Sequence, residues 1–393
     1  MKMQSREFVF LMALMTSFIA LSIDAMLPAL GQISQDLEIH HKNDRQLIIS
    51  VLFLGLAMGM LIYGPISDST GRKPPVYAGL MIFLIGTLFC IYASDFKALL
   101  LGRFLQGVGA AGPRIVAMAI IRDQFTGSAM ARIMSLILSV FIIVPVIAPM
   151  LGQIILSMSG WREIFFLLFV LAVVGFLWFA MRQSESLLPI DRVPLSLGNI
   201  FLAVKETVQH RTVLAYSVAS GFIFAAFLGY LNSSQQILQE LYQLGSQFPY
   251  YFGLLAISLG LATYINSRLV MRYGMHRLSR LALLWLSVTS IIFAGFSWYI
   301  TGRPDFWILM VYLLVVFFCI GILFGNLNSL AMEPVGHIAG TASAVISFYS
   351  TLSGLLIGGL IGRLYNETVL PLVAGFAILG LLALLMMYWA ETE

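Results

Sequence analysis

The chain has 393 residues, 60% of them hydrophobic and only 10% charged, with a formal net charge of +4. A soluble domain carries roughly 25% charged and 45–50% apolar residues, so no soluble fold of this length hides so much apolar side chain. The small net charge gives no sign of nucleic-acid binding, and the composition points to a polytopic membrane protein.

Twelve apolar stretches follow in chain order, over about 8–30, 45–67, 75–94, 97–121, 133–156, 162–181, 213–238, 248–270, 278–300, 306–330, 340–361 and 371–390. Each approaches the roughly 20 residues that cross a bilayer as a helix. The first follows Lys2 and Arg6, but it contains Asp24 and shows no small-residue cleavage site, so it reads as a span and not a signal peptide. Cys90 and Cys319 lie inside apolar runs, which argues against a disulfide framework. With both termini in the cytoplasm, the inside loops hold fourteen Lys and Arg and the outside loops six. Arg103 and Arg114 alone fall within the bilayer. The bias supports an even number of spans.

The longest polar break, 182–212, reads as a cytoplasmic linker, "QSESLLPIDRVPLS" followed by an amphipathic "LGNIFLAVKETVQH" lying at the interface. It divides the chain into bundles of six spans over 1–181 and 213–393. The halves echo each other: "GPISDSTGRKPP" (64–75) joins spans two and three, and "NSRLVMRYGMHR" (266–277) joins spans eight and nine. Such internal symmetry is expected of duplicated transporter halves.

Several residues inside or beside the spans carry chemistry. Asp24 sits about six residues inside the outer end of span one, and intramembrane carboxyls mark ion or proton pathways. Arg103, about six residues inside the outer end of span four, is placed at similar depth. Asp24 is therefore either a proton-coupling acid modulated by Arg103 or half of a fixed ion pair tying span one to span four. Arg114 follows Arg103 by eleven residues, nearly three turns, so the two share a stripe with Gly107 and Ala110 or Ala111. Those small residues admit a neighbouring helix or a substrate. No acid lies in a span at the depth of Arg114, which leaves three readings: it meets a substrate carboxylate or phosphate, it satisfies carbonyls opened by Pro113, or it snorkels toward the cytoplasm.

In the loop after span two, Gly64 is expected where helices pack closely, Asp68 beside a helix N-terminus, Gly71 in a left-handed turn, and Arg72 and Lys73 at the inner surface. In span five, Pro145, Pro149 and Gly152 bend the helix and thin its surface. In span seven, Tyr230, Asn232, Ser233, Gln235 and Gln236 sit on or near the outer half, with 232 and 236 one turn apart. Span ten adds Asn326 and Asn328, and span eleven Ser347, Tyr349 and Ser350. Each one alone reads as an interhelical hydrogen bond; together they form a substrate site at the midplane. Glu240 falls at the outer surface.

Enzymatic chemistry finds no support. The chain has no phosphate-binding glycine loop and no nucleophile elbow, and His40, His41, His210, His276 and His337 all map to loops. No Cys or acid joins His40 and His41 at metal-ligand spacing, so no cofactor or metal is expected.

The blocks "SIDAMLPAL" (22–30), "YGPISDSTGRKP" (63–74), "GRFLQGVGAAG" (102–112), "IIRDQF" (120–125), "IAPMLGQII" (147–155), "GWREIF" (160–165) and "MEPVGHIAGTAS" (332–343) together resemble the Bcr/CflA group of drug:proton antiporters in the major facilitator superfamily. The resemblance implies an all-α polytopic membrane protein with twelve transmembrane helices in two six-helix bundles. It implies a monomer in a bacterial-type inner membrane that exchanges protons for a small exported molecule, with no nucleic-acid partner. It places Asp68 in a cytoplasmic latch with Arg122 as a partner and Asp123 alongside, and reads Pro145, Pro149 and Gly152 as the exporters' antiporter motif. That motif is incomplete, with Ala148 and Gln153 where glycines are frequent. Arg114 also departs from the pattern, which more often has a small residue there. A dedicated exporter of an anionic metabolite, such as a carboxylate siderophore, an uptake symporter and a non-transporting receptor on the same fold are the alternatives.

Overall fold

The computed structural model describes residues 5–192 and 209–392. The described residues are helical almost throughout. The long helices are α1 (Ser5–Asp24), α2 (Leu47–Thr70), α3 (Lys73–Ile91), α4 (Phe96–Gln124), α5 (Gly127–Met158), α6 (Trp161–Arg182), α7 (Arg211–Ser234), α8 (Phe248–Tyr273), α9 (Met275–Tyr299), α10 (Phe306–Met332), α11 (Ala339–Ser353) and α12 (Leu370–Glu391). Among the described residues, eleven helical segments are long and apolar enough to cross a membrane. The expected span 133–156 lies on α5, in which several side chains are outside the described set. The amphipathic helix expected in the linker falls almost wholly on residues 193–208, outside the described ones.

Large apolar side chains such as Trp285, Ile292 and Val311 are 62–67% exposed. In water such exposure would drive aggregation; in a bilayer, lipid tails take the place of a core on that side.

The chain forms two compact units. The first comprises 1–40 and 47–200, the second 41–46 and 201–393. In the first unit α4 is held between α2 and α3 by glycines on two of its faces. A Cβ on Gly107 would fall on the Leu52 carbonyl of α2, and one on Gly109 on the backbone of Phe83 in α3. Backbones this close gain packing that larger residues would forbid. The close approach expected at Gly64 is absent among the described residues: a Cβ there would meet nothing within 4 Å. The tight contacts of α2 come earlier, at Gly55 and Gly59, where α2 crosses Phe104 and Val108. Asp95 caps α4 by accepting the Ala98 N–H at 2.9 Å, and Gly71, at φ +98°, turns α2 into α3 through the left-handed region.

In the second unit α7 is the central helix, packed by α10, α11 and α12. Phe227, Tyr230, Phe317 and Phe324 make an edge-to-face cluster between α7 and α10, with ring centroids 4.7–5.9 Å apart. Helix α7 continues as a π-helix, Gln235–Leu241, and α11 as a π-helix, Gly354–Gly358, then Gly359–Arg363. π-segments interrupt the regular ladder and often mark functional positions.

Candidate functional site

In α1 the residue pattern forces a break beside its acid. Pro28 has no N–H to give and fixes its own φ, so the helix stops at Asp24 and resumes through a 3₁₀ turn, Leu27–Ala29, into Leu30–Asp36. Asp24 is 5% exposed and makes no hydrogen bond or ion pair among the described residues. At the break α5 comes close: a Cβ on Gly152 would land on the Ala25 carbonyl, and Ala148 and Pro149 beside it are buried. The antiporter-like segment of α5 therefore lies against the turn that follows Asp24. Helix α5 runs unbroken through Pro145 and Pro149.

Asp24 also lies deeper than its sequence position implies. The helical run continues to Asp36, which puts the acid twelve residues, about 18 Å, from that end at 1.5 Å per residue. Arg103 is only seven residues, about 10 Å, from Phe96 at the start of α4. The expected Asp24–Arg103 pair is not formed. Arg103 is fully buried; its Nε donates to the Ile48 carbonyl at 3.0 Å and its Nη1 to Gln106 Oε1 at 2.9 Å. Gln106 in turn donates to Thr87 Oγ1, and the Phe165 ring lies 5.8 Å from the guanidinium. Its Nη2 has no hydrogen-bond partner among the described residues.

Arg114, on the same stripe of α4, is half-buried and has no hydrogen-bond or ion-pair partner among the described residues. It donates to no carbonyl near Pro113, which removes that reading of its role.

The polar set of the second half is mostly spoken for. Gln236 donates to Asn43 Oδ1 at 2.8 Å and accepts from Gln46 Nε2 at 2.5 Å. Gln46 also donates to the Gly362 carbonyl, and Asn43 to the carbonyls of Arg363 and Tyr365, all at 2.9 Å. Gln235 donates to Gln239 and Glu240. Arg45, 4% exposed, grips Glu240 with Nη1 and Nη2 at 2.5 and 2.7 Å. Segment 41–46, between α1 and α2 in the chain, is thus clasped into the second unit at the π-helix that ends α7. Beside it a cavity of about 700 Å³ is lined by His41, Lys42, Gln243, Arg303 and Glu367 among others. The amides of Gln235 and Gln236, expected to face a substrate, are engaged in this clasp in the structure. Glu240, expected simply at a surface, is its anchor. The sequence offered one signal, the polar run "NDRQ" (43–46) just before span two, and nothing that named its partners.

Tyr230 is buried between Phe252 and Phe317, and Asn232 is buried beside Gly362. Asn326 is closed off by a reciprocal amide pair with Asn266, at 2.8 and 3.1 Å, joining α8 to α10. Asn328 is exposed, Tyr349 half-buried against Gly221, and the buried hydroxyl oxygen of Ser350 has no partner among the described residues. Their contacts lie with different neighbours: Phe252 and Phe317 for Tyr230, Gly362 for Asn232, Asn266 for Asn326 and Gly221 for Tyr349.

The loop after α2 forms a compact ionic knot. Arg72, 6% exposed, reaches Asp68 through Nη1 at 2.5 Å and Asp123 through Nε at 2.8 Å and Nη2 at 3.1 Å. Arg122, the expected partner of Asp68, is exposed and outside the knot; the partner is Arg72 itself, one turn along. Burial pulls the Arg72 guanidinium toward neutrality, but the hydrogen bonds and charges of Asp123 and Asp68 outweigh it and hold it above its ordinary value. Glu185, which sequence reasoning missed, accepts the Arg72 and Lys73 backbone N–H groups. Burial pushes its carboxyl up, and the backbone donors of Arg72, Lys73, Leu187 and Ser186 bring it net below the usual carboxylate range.

At the other end of the second unit, Glu391 collects Tyr216, His276 and Arg280. Among the described residues no group of three His, Cys, Asp or Glu is arranged to hold a metal.

Residues 10–358 match the family model described as Major Facilitator Superfamily. The MFS-type transporter YdgK of Bacillus subtilis is 30% identical, over 91% of this chain and 89% of its own length. The bicyclomycin resistance protein homolog of Haemophilus influenzae is 25% identical over 100% and 98%, and multidrug resistance protein MdtL of Salmonella heidelberg 28% over 92% and 90%. The crystal structure of the human organic anion transporter MFSD10 (TETRAN) is similar in fold, with a TM-score of 0.71 and 17% identity over 99% of this chain and 100% of that one. With a family match spanning most of its length, a relative at 30% identity and a helical fold throughout the described residues, the chain belongs to the Major Facilitator Superfamily, as a multi-pass inner-membrane transporter of small molecules and not an enzyme.

Proposed function

We propose that the protein is a proton-coupled antiporter that exports a drug-like compound or metabolite by alternating access, with Asp24 as the proton carrier. The observation that carries this reading is Asp24 itself: a buried carboxyl inside a membrane span, at a helix break, with no ion-pair or hydrogen-bond partner among the described residues. An intramembrane acid is costly unless it is paired or titrates as part of the mechanism. A carboxyl held by no protein donor is able to take a proton from one side and yield it when its surroundings change. The names of the relatives, bicyclomycin and multidrug resistance, support an exported drug-like substrate, and the packing of α5 on the turn after Asp24 supports coupling between that helix and the acid.

In this reading both termini are cytoplasmic, the working unit is a monomer without cofactor or nucleic-acid partner, and protons enter from outside to bind Asp24 in exchange for outgoing substrate. Arg103, with a spare N–H at Nη2, modulates the acid when α1 and α4 rearrange. The ionic knot of Asp68, Arg72 and Asp123 is the first unit's part of the cytoplasmic latch. The test is proton release from purified protein in weakly buffered detergent on addition of ethidium. Wild type releases protons; Asp24→Asn binds ethidium and releases none. Equal release by both variants overturns the assignment of Asp24, and a protein that binds ethidium without release from either is not an antiporter for that cation.

A further inference from the structure

We infer that Arg114 anchors the carboxylate of an organic-acid substrate. The inference rests on the transport reading above and adds a substrate class to it. Seven described arginines are buried or half-buried, and six of them have partners. Arg45 and Arg72 hold acids, Arg182 holds Glu7, Arg103 and Arg162 reach backbone carbonyls, and Arg211 reaches the Trp389 carbonyl. Arg114 alone has none among the described residues.

It is also the one placed where a partner matters most. It stands eighteen residues into α4 and ten before Gln124, about 15 Å of helix from the nearer end. Side chains on a helix lean toward its N-terminus, which for Arg114 is away from the nearer membrane face and disfavours snorkelling there. A guanidinium does not shed its proton, so its charge persists. Asp24, the acid in the interior of a described span, lies on α1 about 9 Å shallower when both are counted from the same face, and makes no ion pair. An unpaired cation inside a span is expensive, and a ligand that neutralises it is bound by that relief.

The ligand chemistry follows from the fork. A guanidinium offers two parallel N–H donors at the spacing of a carboxylate's oxygens. The stripe toward Arg103 holds Gly107 and Ala110, which add no competing polar group. Gly107 is filled by α2, so the substrate's body does not enter there and its acid end alone meets Arg114. The same charge disfavours a cation at this one point, so a cationic substrate such as ethidium binds away from Arg114.

The test is equilibrium binding of 1-naphthoate and tetraphenylphosphonium to wild type, Arg114→Gln and Arg114→Lys in phosphatidylcholine nanodiscs. Wild type binds 1-naphthoate, Arg114→Gln binds it at least about tenfold more weakly, and Arg114→Lys falls between, since it keeps the charge but loses the fork. Arg114→Lys also carries the test if the glutamine variant does not fold. Tetraphenylphosphonium binds Arg114→Gln more tightly than wild type. Equal 1-naphthoate binding by wild type and both variants overturns the inference, as does loss of 1-naphthoate binding by wild type when phosphatidylglycerol is added, which would make a lipid headgroup the occupant. Arg114-dependent binding with no proton release upholds this inference and removes the proton-antiport reading; proton release on tetraphenylphosphonium that is blind to Arg114 does the reverse.

Discussion

Replacing Glu240 by alanine strands a buried cation. The Arg45 side chain is 5% exposed and Glu240 41%, so the two halves of the pair are unequal. Removing one member of a fully buried pair costs about 3–5 kcal/mol. Water reaches the Glu240 side of this pair, which cuts the cost of Glu240→Ala to about 2 kcal/mol. Arg45→Ala leaves a carboxylate that water and Gln235 still solvate, at 3.2 Å from Gln235 Nε2, and costs about 1 kcal/mol of lost hydrogen bonding. At about 2–4 °C per kcal/mol for a unit of this size, the expected drops in melting temperature are about 4–8 °C and about 2–4 °C. The double variant should melt close to Arg45→Ala, because once the cation is gone the acid has nothing to neutralise. Cys90 and Cys319 are buried and free, so a thiol-reactive dye reports unfolding in detergent. A larger loss from Arg45→Ala than from Glu240→Ala, or a double loss equal to the sum, would show that the buried cation is not what Glu240 neutralises.

Gly152→Leu forces a side chain onto the Ala25 carbonyl. It should cost about 1–3 kcal/mol of stability by overpacking and slow transport; a variant that melts and transports like wild type would show that α5 does not press on the α1 break. Glu185 has its carboxyl held below the usual range, so its contribution is fully present above the ordinary value of 4.5 and is lost as pH falls through the folded one. Hydrogen-exchange protection of the Arg72 and Lys73 amides should therefore be lower in Glu185→Gln than in wild type at pH 7, with the two converging well below pH 4.5; a difference independent of pH would contradict the assignment.

The bilayer made the fold legible. Most spans show as apolar runs because lipid offers no alternative to an internally bonded helix, and 97–121 became Phe96–Gln124 with little change. The apolar run of span one, 8–30, is shorter than the helical segment, which continues past Pro28 to Asp36. In the structure the 3₁₀ turn at Pro28 rejoins a helix, which moved Asp24 deeper and away from the depth of Arg103. Partners were the illegible part. A sequence gives a residue's depth and face, but Asn326 is answered by Asn266 sixty residues away and Gln236 by Asn43 almost two hundred away. Those choices depend on which helices lie side by side. The Asp68 partner is the opposite case: Arg72, expected as an anchor at the inner surface, is so near in the chain that i,i+4 spacing already places it over the acid.

The most direct test of the account is ethidium transport in inverted vesicles under an imposed pH gradient, measured alongside ethidium counterflow without a gradient. Wild type should accumulate ethidium when the vesicle interior is acid. Asp24→Asn should lose that accumulation and keep counterflow, because exchange of substrate for substrate needs no proton. Gradient-driven accumulation by Asp24→Asn at the wild-type rate would contradict the claim that Asp24 carries the proton.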